Sequence, residues 1–100
     1  LKKLPAVYYV QQSIRLFDVW ERARCYEKAI DGLSEMIDLC TEEESLHFYL
    51  DVALQHLGKV QYSMGNIETA LKSFQKALDL RIKKKDQDLI DSSKTAIEIC

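Results

Sequence analysis

Histidine and cysteine are the side chains of this 100-residue chain that could most readily bind a metal or attack a substrate. His47 and His56 are nine positions apart, and an α-helix would point them in nearly opposite directions, so they cannot share a metal ion. Cys40 has no evident base near it in the sequence, and no two cysteines have the spacing of a metal site or a redox pair. We therefore expect no metal, no cofactor and no enzymatic activity.

The composition narrows the class of partner. Charges of both signs are mixed along the chain and leave a net charge of -2, which gives no positive field to attract nucleic acid. No apolar run approaches the roughly 20 residues that a membrane span requires, and the first residues do not resemble a signal peptide. Cys25, Cys40 and Cys100 are odd in number and widely spaced, which favours packing residues in a reducing cytoplasm. We expect neither nucleic acid nor a membrane as partner.

The chain has the length of one domain, and 47% of its residues are hydrophobic, which is enough for a continuous core. It begins at Leu1 without an initiator methionine and ends at Cys100 inside an apolar pattern. We therefore expect a single domain, residues 1–100, that is a fragment of a longer protein.

The pattern of apolar residues predicts an all-α fold of about five helices. Three glycines and one proline leave little turn chemistry, and no stretch alternates apolar and polar residues for long enough to form a strand. The first helix is predicted from about Pro5 to Arg22, and the second starts at Tyr26 after a turn at Arg24 and Cys25.

Start and stop signals place the other three helices. Thr41 and Glu44 have the capping-box spacing and predict the start of the third helix, which stops near Gly65. Asn66 is predicted to cap the fourth helix, which reaches the lysines at 83–85, where positive charge is favoured. The fourth helix is expected to pack through the following apolar residues: Ile67, Ala70, Leu71, Phe74, Ala77, Leu78 and Ile82. A fifth helix begins at Asp86 or Asp88 and has no partner helix within the sequence.

An internal repeat is visible when the chain is compared with itself. A shift of 41 positions aligns Tyr26–Ile30 with Ile67–Leu71, and a shift of 42 aligns Ile99 and Cys100 with Leu57 and Gly58. This predicts a degenerate unit at residues 1–40, a complete unit at 41–85, and the first helix of a further unit at 86–100.

The stretch from Asp51 to Lys84 resembles the tetratricopeptide repeat (TPR), a hairpin of two helices. The residues on its signature positions are Leu54, Leu57, Gly58, Gly65, Ala70, Phe74 and Ala77. The sequence departs from the signature at Gln61, where an aromatic residue is usual, and at Ile82, where a helix-ending proline is common. The resemblance implies antiparallel helical hairpins stacked as a short right-handed solenoid, with repeats lengthened to about 41 or 42 residues because the second helix continues past Ile82.

The first unit departs further from the pattern. Phe17 replaces the small residue at the close helix crossing, and Arg24 replaces the turn glycine. These two bulky residues predict that the first hairpin must splay or shift relative to the second.

The resemblance also implies a site, because the first helices of successive TPR units line a concave groove that binds partner segments. The corresponding positions here are Gln11, Ile14, Asp18, Glu21, Val52, Gln55, Lys59, Tyr62, Lys94 and Ile97. Lys59 could make a charge contact, Gln55 could bond to peptide backbone, and Tyr62 could offer a flat face. The alternative is that these are solvated side chains on an unoccupied surface.

Two functions follow as hypotheses. The first is a scaffold or adaptor module that binds a peptide or helix of another protein in the groove. The second is a structural element that forms homo-oligomers through the unpaired fifth helix and the aromatic amino-terminal helix. The aromatic residues concerned, which helical spacing equally assigns to the core, are Tyr8, Tyr9, Phe17 and Trp20.

Overall fold

The protein is described by a computed structural model, which covers the backbone of residues 6–100 and the side chains of residues 10–100. Within residues 6–100 there are five α-helices, one 3-10 helix and no strand, which confirms the all-α prediction. The α-helices are α1 (Ala6–Arg22), α2 (Tyr26–Glu42), α3 (Leu50–Ser63), α4 (Ile67–Lys84) and α5 (Gln87–Ile99), and the 3-10 helix is Glu44–Tyr49. The predicted start of α1 at Pro5 lies outside the described residues.

The turns after α1 and α3 have the same backbone geometry. Arg24 has φ 62° and Gly65 has φ 86°, so both residues are left-handed. The amide of Cys25 donates to the carbonyl of Trp20 at 2.7 Å, and the amide of Asn66 donates to that of Gln61 at 2.9 Å. These pairs are related by the 41-residue shift found in the sequence. Each turn folds its two helices back on one another as an antiparallel hairpin.

The predicted start of the third helix is wrong. Thr41 lies in the last turn of α2, and its hydroxyl donates to the carbonyl of Ile37 at 2.7 Å. Residues 44–49 then form the 3-10 helix, and α3 begins only at Leu50. The reason is burial: Cys40 is fully buried, which favours continuation of α2 beyond it, and the tighter 3-10 turn lets Leu46 reach the core.

A continuous core joins α1, α2, the 3-10 helix and α3. Its members are Val10, Phe17, Ala29, Leu33, Met36, Cys40, Leu46, Ala53 and Val60. Phe17 is therefore a core residue and Trp20 packs against this core, whereas the side chains of Tyr8 and Tyr9 lie outside those described. Burial of Cys40 agrees with its predicted packing role.

The buried stripe of α4 differs from the prediction. Ala70, Phe74, Ala77 and Leu78 are buried as expected, and Arg81 is buried with them. The expected packing residues Ile67, Leu71 and Ile82 are instead exposed, with Ile82 at 50%. Helix α4 packs mainly against α3 and α5, and these three residues remain outside its buried stripe.

In each hairpin a phenylalanine ring packs on a glycine of the opposite helix. In the second hairpin the Phe74 ring packs on Gly58, and in the first the Phe17 ring packs on Gly32. The first helix of the first hairpin therefore carries the large residue and its second helix the small one, whereas the second hairpin has the reverse arrangement. The Phe17 ring is accommodated because the opposite helix provides the glycine. Helices α1 and α2 nevertheless contact each other less extensively than α3 and α4 do, as expected if the first hairpin is splayed or shifted relative to the second.

The carboxyl-terminal part follows the expected boundaries. Without a proline, α4 continues past Ile82 and ends at Lys84, with Lys85 left-handed at φ 60°. Asp86 caps α5, and its side chain accepts a bond from the amide of Leu89 at 3.3 Å. Asn66 occupies the predicted cap of α4, but its side chain makes no cap bond to the described residues. Helix α5 packs on α4 and buries Ile90 and Ser93, and no second helix of its own hairpin follows it within the described residues.

Candidate binding groove

Helices α1, α3 and α5 run parallel to one another along one face of the molecule. The hydroxyl of Ser63 donates to Glu21 Oε2 at 2.9 Å, and one turn earlier Lys59 Nζ lies 3.6 Å from Asp18 Oδ1. One turn before Lys59 on α3, Gln55 Oε1 accepts a hydrogen bond from the hydroxyl of Ser93 on α5 at 2.8 Å. The carboxyl-terminal halves of all three helices therefore lie together.

A pocket of about 230 Å³ lies among these carboxyl-terminal halves. Its walls are mainly apolar. The lining residues are Glu21, Lys59, Tyr62, Ser63, Phe74, Ala96 and Ile99. Phe74 reaches this surface from α4, next to the glycine contact at Gly58. The pocket thus has an apolar interior with a carboxylate, an ammonium group and a phenol at its edge, and it is large enough for one apolar side chain.

The predicted groove positions are brought together only in part. Glu21, Lys59 and Tyr62 line the pocket, and Asp18 and Gln55 contact its surroundings. Gln11 and Lys94 are exposed without lining it, and Ile14, Val52 and Ile97 are half-buried elsewhere on these helices. Ile14 packs against the core, which explains why it contributes less to the surface.

The charges at the edge of the pocket are balanced. Asp18 lies 3.6 Å from Lys59 and 3.0 Å from Arg22, and Glu21 accepts the Ser63 bond. The Lys59 side chain is 45% exposed, so its pairing with Asp18 contributes little stability and is readily exchanged for another anion.

The two histidines have different surroundings. His47 is exposed, and its Nε2 donates to the carbonyl of Thr41 at 2.8 Å. His56 is half-buried, and its pKa is lowered first by burial and then by the positive charge of Lys59. Burial likewise raises the pKa of the Cys40 thiol. Among the described residues, no three histidine, cysteine or acidic side chains are grouped as metal ligands would be.

The sequence prediction missed a buried polar relay, which we name by its members Asp51, Arg81, Ser93 and Gln55. Arg81 Nε donates to Asp51 Oδ2 at 2.8 Å, and Arg81 Nη1 donates to Ser93 Oγ at 2.9 Å. The signal was available, because Arg81 follows Ala77 and Leu78 at the spacing that continues their apolar stripe. An arginine at such a position indicates a buried counter-charge.

A second concavity of about 450 Å³ lies between α1 and α2, outside the predicted groove. It is lined partly by Leu16, Trp20 and Leu39, and also by the charged residues Lys28, Asp31 and Glu35. It is larger than the groove pocket, but it brings together none of the predicted positions.

Comparison with known proteins returned no relationship: the chain matches no protein-family model, no curated protein and no solved structure. Within the described residues, none of the helices has both the length and the apolar character needed to cross a membrane. The groove pocket must therefore be interpreted from its own geometry.

Proposed function

We propose that this protein is a TPR-like interaction module that holds a segment of another protein in the groove formed by α1, α3 and α5. The observation that carries the proposal is the convergence of Glu21, Lys59 and Tyr62 with Ala96 and Ile99 around one apolar pocket. Parallel first helices and a turn geometry repeated after 41 residues are consistent with a short stack of hairpins. Under this proposal the module is an intracellular scaffold or adaptor without enzymatic activity.

Recognition would combine one apolar anchor with polar contacts at the edge. The pocket accepts a single large side chain of the partner, whose burial provides most of the affinity. The Tyr62 hydroxyl and the Lys59 ammonium group are exposed enough to bond to the partner's backbone or to an acidic side chain. Gln55 has its side-chain oxygen engaged by Ser93, so its amide N–H groups remain for the partner.

The test is binding of peptides selected from a displayed random library on the whole chain and then synthesised with a fluorescent label. We expect Lys59→Glu with Tyr62→Ala to weaken binding by about tenfold or more, a change typical of losing contacts around an anchor. The matched control is Lys76→Glu with Leu71→Ala, on an exposed part of α4 that does not line the pocket. Equal binding by the groove variant and the native chain would refute the assignment of the groove.

A second candidate function is self-association, which specific exposed residues favour. Leu16 and Val19 of α1 are 45% and 57% exposed, and Leu16 borders the larger concavity. On α5, Ile99 is 62% exposed, so the terminal helix remains a second candidate interface beside this surface. Light scattering with size exclusion separates the hypotheses: a dimer that dissociates on Leu16→Glu would favour self-association, and a monomer over a wide concentration range would exclude it.

A further inference from the structure

The relay of Asp51, Arg81, Ser93 and Gln55 connects three helices through buried polar groups. Asp51, Arg81 and Ser93 are 1%, 3% and 0% exposed. Arg81 Nη1 also donates to the carbonyl of Leu89 at 3.3 Å. The hydroxyl of Ser93, which accepts from Arg81, donates in turn to Gln55 Oε1. One guanidinium group of α4 therefore holds α3 through its Nε and α5 through its Nη1.

The charge of Asp51 is shared between two cations. Lys84 Nζ donates to Asp51 Oδ1 at 2.6 Å and to the carbonyl of Phe48 at 2.8 Å. The same ammonium group lies 4.0 Å from the centre of the Phe48 ring. Lys84 thus connects α4 to the 3-10 helix and the start of α3, whereas Arg81 is the cation that reaches α5.

Apolar burial at α5 is small by comparison. Among the residues of α5, all of which the structure describes, Ile90 is the one buried apolar side chain. Ser93 lies one turn after it, fully buried, with its hydroxyl bonded to both Arg81 and Gln55. Polar groups buried in this way fix orientation more strictly than apolar contacts do, because each bond must keep its geometry.

We propose that Arg81 and Ser93 are positioning residues that dock α5 in one register and thereby complete the groove pocket. Ala96 follows Ser93 by one helical turn, and Ile99 follows Ala96 by another, so the register fixed at Ser93 sets both pocket residues. The guanidinium group suits this role because its donors diverge in a fixed plane, whereas a lysine offers one ammonium centre. The biological importance of this role rests on the proposed function of the groove.

The test compares Ser93→Ala with Ser92→Ala, a matched change at the exposed neighbouring position. Hydrogen exchange of the α5 amides and NMR signals of the Ala96 and Ile99 methyl groups are measured in the whole chain. With Ser93→Ala we expect α5 amides to exchange about tenfold faster or more while α3 and α4 change less, because Arg81 and Gln55 both lose their hydrogen bond to the Ser93 hydroxyl and Arg81 keeps only its longer bond to the Leu89 carbonyl. The methyl signals should move, since Phe74 lines the same pocket and its ring shifts nearby resonances.

Arg81→Lys is the second variant, which keeps the positive charge beside Asp51 and removes the second arm to Ser93 and Leu89. It should reproduce the α5-specific effect, and Ser92→Ala should match the native chain in both measurements. Unchanged α5 exchange in Ser93→Ala, or an equal rise in exchange across α3, α4 and α5, would overturn the proposal. Neither measurement requires a partner, so a failure of the proposed peptide binding would leave this result standing on its own.

Discussion

At the scale of single residues, the glycine at each hairpin crossing controls how closely two helices approach. A Cβ atom added at Gly58 would lie 2.6 Å from Cδ1 and Cε1 of Phe74, far inside normal contact. We expect Gly58→Ala to lower the free energy of unfolding by about 1–3 kcal/mol, the usual cost of overpacking. Urea unfolding followed by circular dichroism measures this difference, and an unchanged midpoint would show that the ring moves aside freely.

The Gly32–Phe17 contact of the first hairpin allows the same overpacking argument to be tested with a double variant. A Cβ atom at Gly32 would collide with Phe17 Cε1, so Gly32→Ala should also destabilise the fold. Combining it with Phe17→Leu removes the colliding ring atoms, and the double variant should be more stable than the sum of the single effects predicts. Strict additivity would mean that the two residues do not compete for space.

The three thiols differ in exposure and should differ in reactivity. Cys40 is fully buried, and burial raises the pKa of its thiol, whereas Cys25 and Cys100 are half-buried free thiols. Because the thiolate is the reactive form, we expect iodoacetamide to label Cys40 more slowly than the other two. Peptide mass spectrometry over time measures the three rates, and labelling of Cys40 at the rate of Cys25 would contradict its burial.

At the scale of elements, two helix ends depend on side chains in a conformation that glycine adopts more easily. Arg24 ends the α1 turn at φ 62°, and Lys85 ends α4 at φ 60°. The left-handed conformation costs an L-residue roughly 1–2 kcal/mol, a cost that a glycine at the same position would remove. The greater freedom of glycine in the unfolded chain offsets part of this stabilisation. We expect Arg24→Gly to raise the free energy of unfolding by roughly 0.5–1 kcal/mol.

The equivalent turn of the second hairpin supplies the opposite test. Gly65 has φ 86°, and apart from its chain neighbours no described heavy atom lies within 4 Å of a Cβ built there. Gly65→Ala should therefore lose roughly 1 kcal/mol through backbone strain alone. Thermal unfolding measures the stability of Arg24→Gly and of Gly65→Ala. If Gly65→Ala were more stable than the native chain, the argument from left-handed strain would fail at both turns.

At the scale of the whole molecule, His56 links stability to pH. It is half-buried on α3, and the charges acting on it belong to Asp18 and Glu21 of α1, Lys59 of α3 and Arg81 of α4. Burial, the largest cause, lowers its pKa in the folded state, so the unfolded chain binds a proton at a higher pH than the folded chain does. Stability should therefore fall as pH decreases through the ordinary histidine range, about 6.5, towards the lowered folded value.

Chemical unfolding at a series of pH values tests this linkage. His56→Gln should remove the part of the pH dependence that belongs to this group, so the difference in stability between variant and native chain should shrink or reverse as the pH falls. His47→Gln, at an exposed position, is the matched control. A difference in stability between His56→Gln and the native chain that stays constant with pH would contradict the lowered pKa of His56.

The helices and turns follow from the sequence because their signals are local. Tyr26, Gly65 and Asp86 mark boundaries that depend on a few neighbouring residues. The exception is the Thr41 capping signal, because burial of Cys40 and Leu46 overrides a cap worth about 1 kcal/mol. The sequence also indicated Glu21, Lys59 and Tyr62 of the pocket, through the resemblance to the TPR groove positions, which the shift of 41 carries from the second unit to the first.

What the sequence determined alone is therefore the all-α character, the approximate helix boundaries and the 41-residue offset between the hairpin turns. The sequence also indicated most of the buried face of α4, whereas the partners of Arg81, the exposure of Ile67, Leu71 and Ile82, and the docking of α5 depend on contacts between helices. Arg81 is buried because Asp51, 30 positions away, and Ser93, 12 positions away, meet it in space. Helical periodicity identifies which residues share a face of a helix. The groups on neighbouring helices determine which of those residues are buried, and a charged residue such as Arg81 is buried only where they provide its partners.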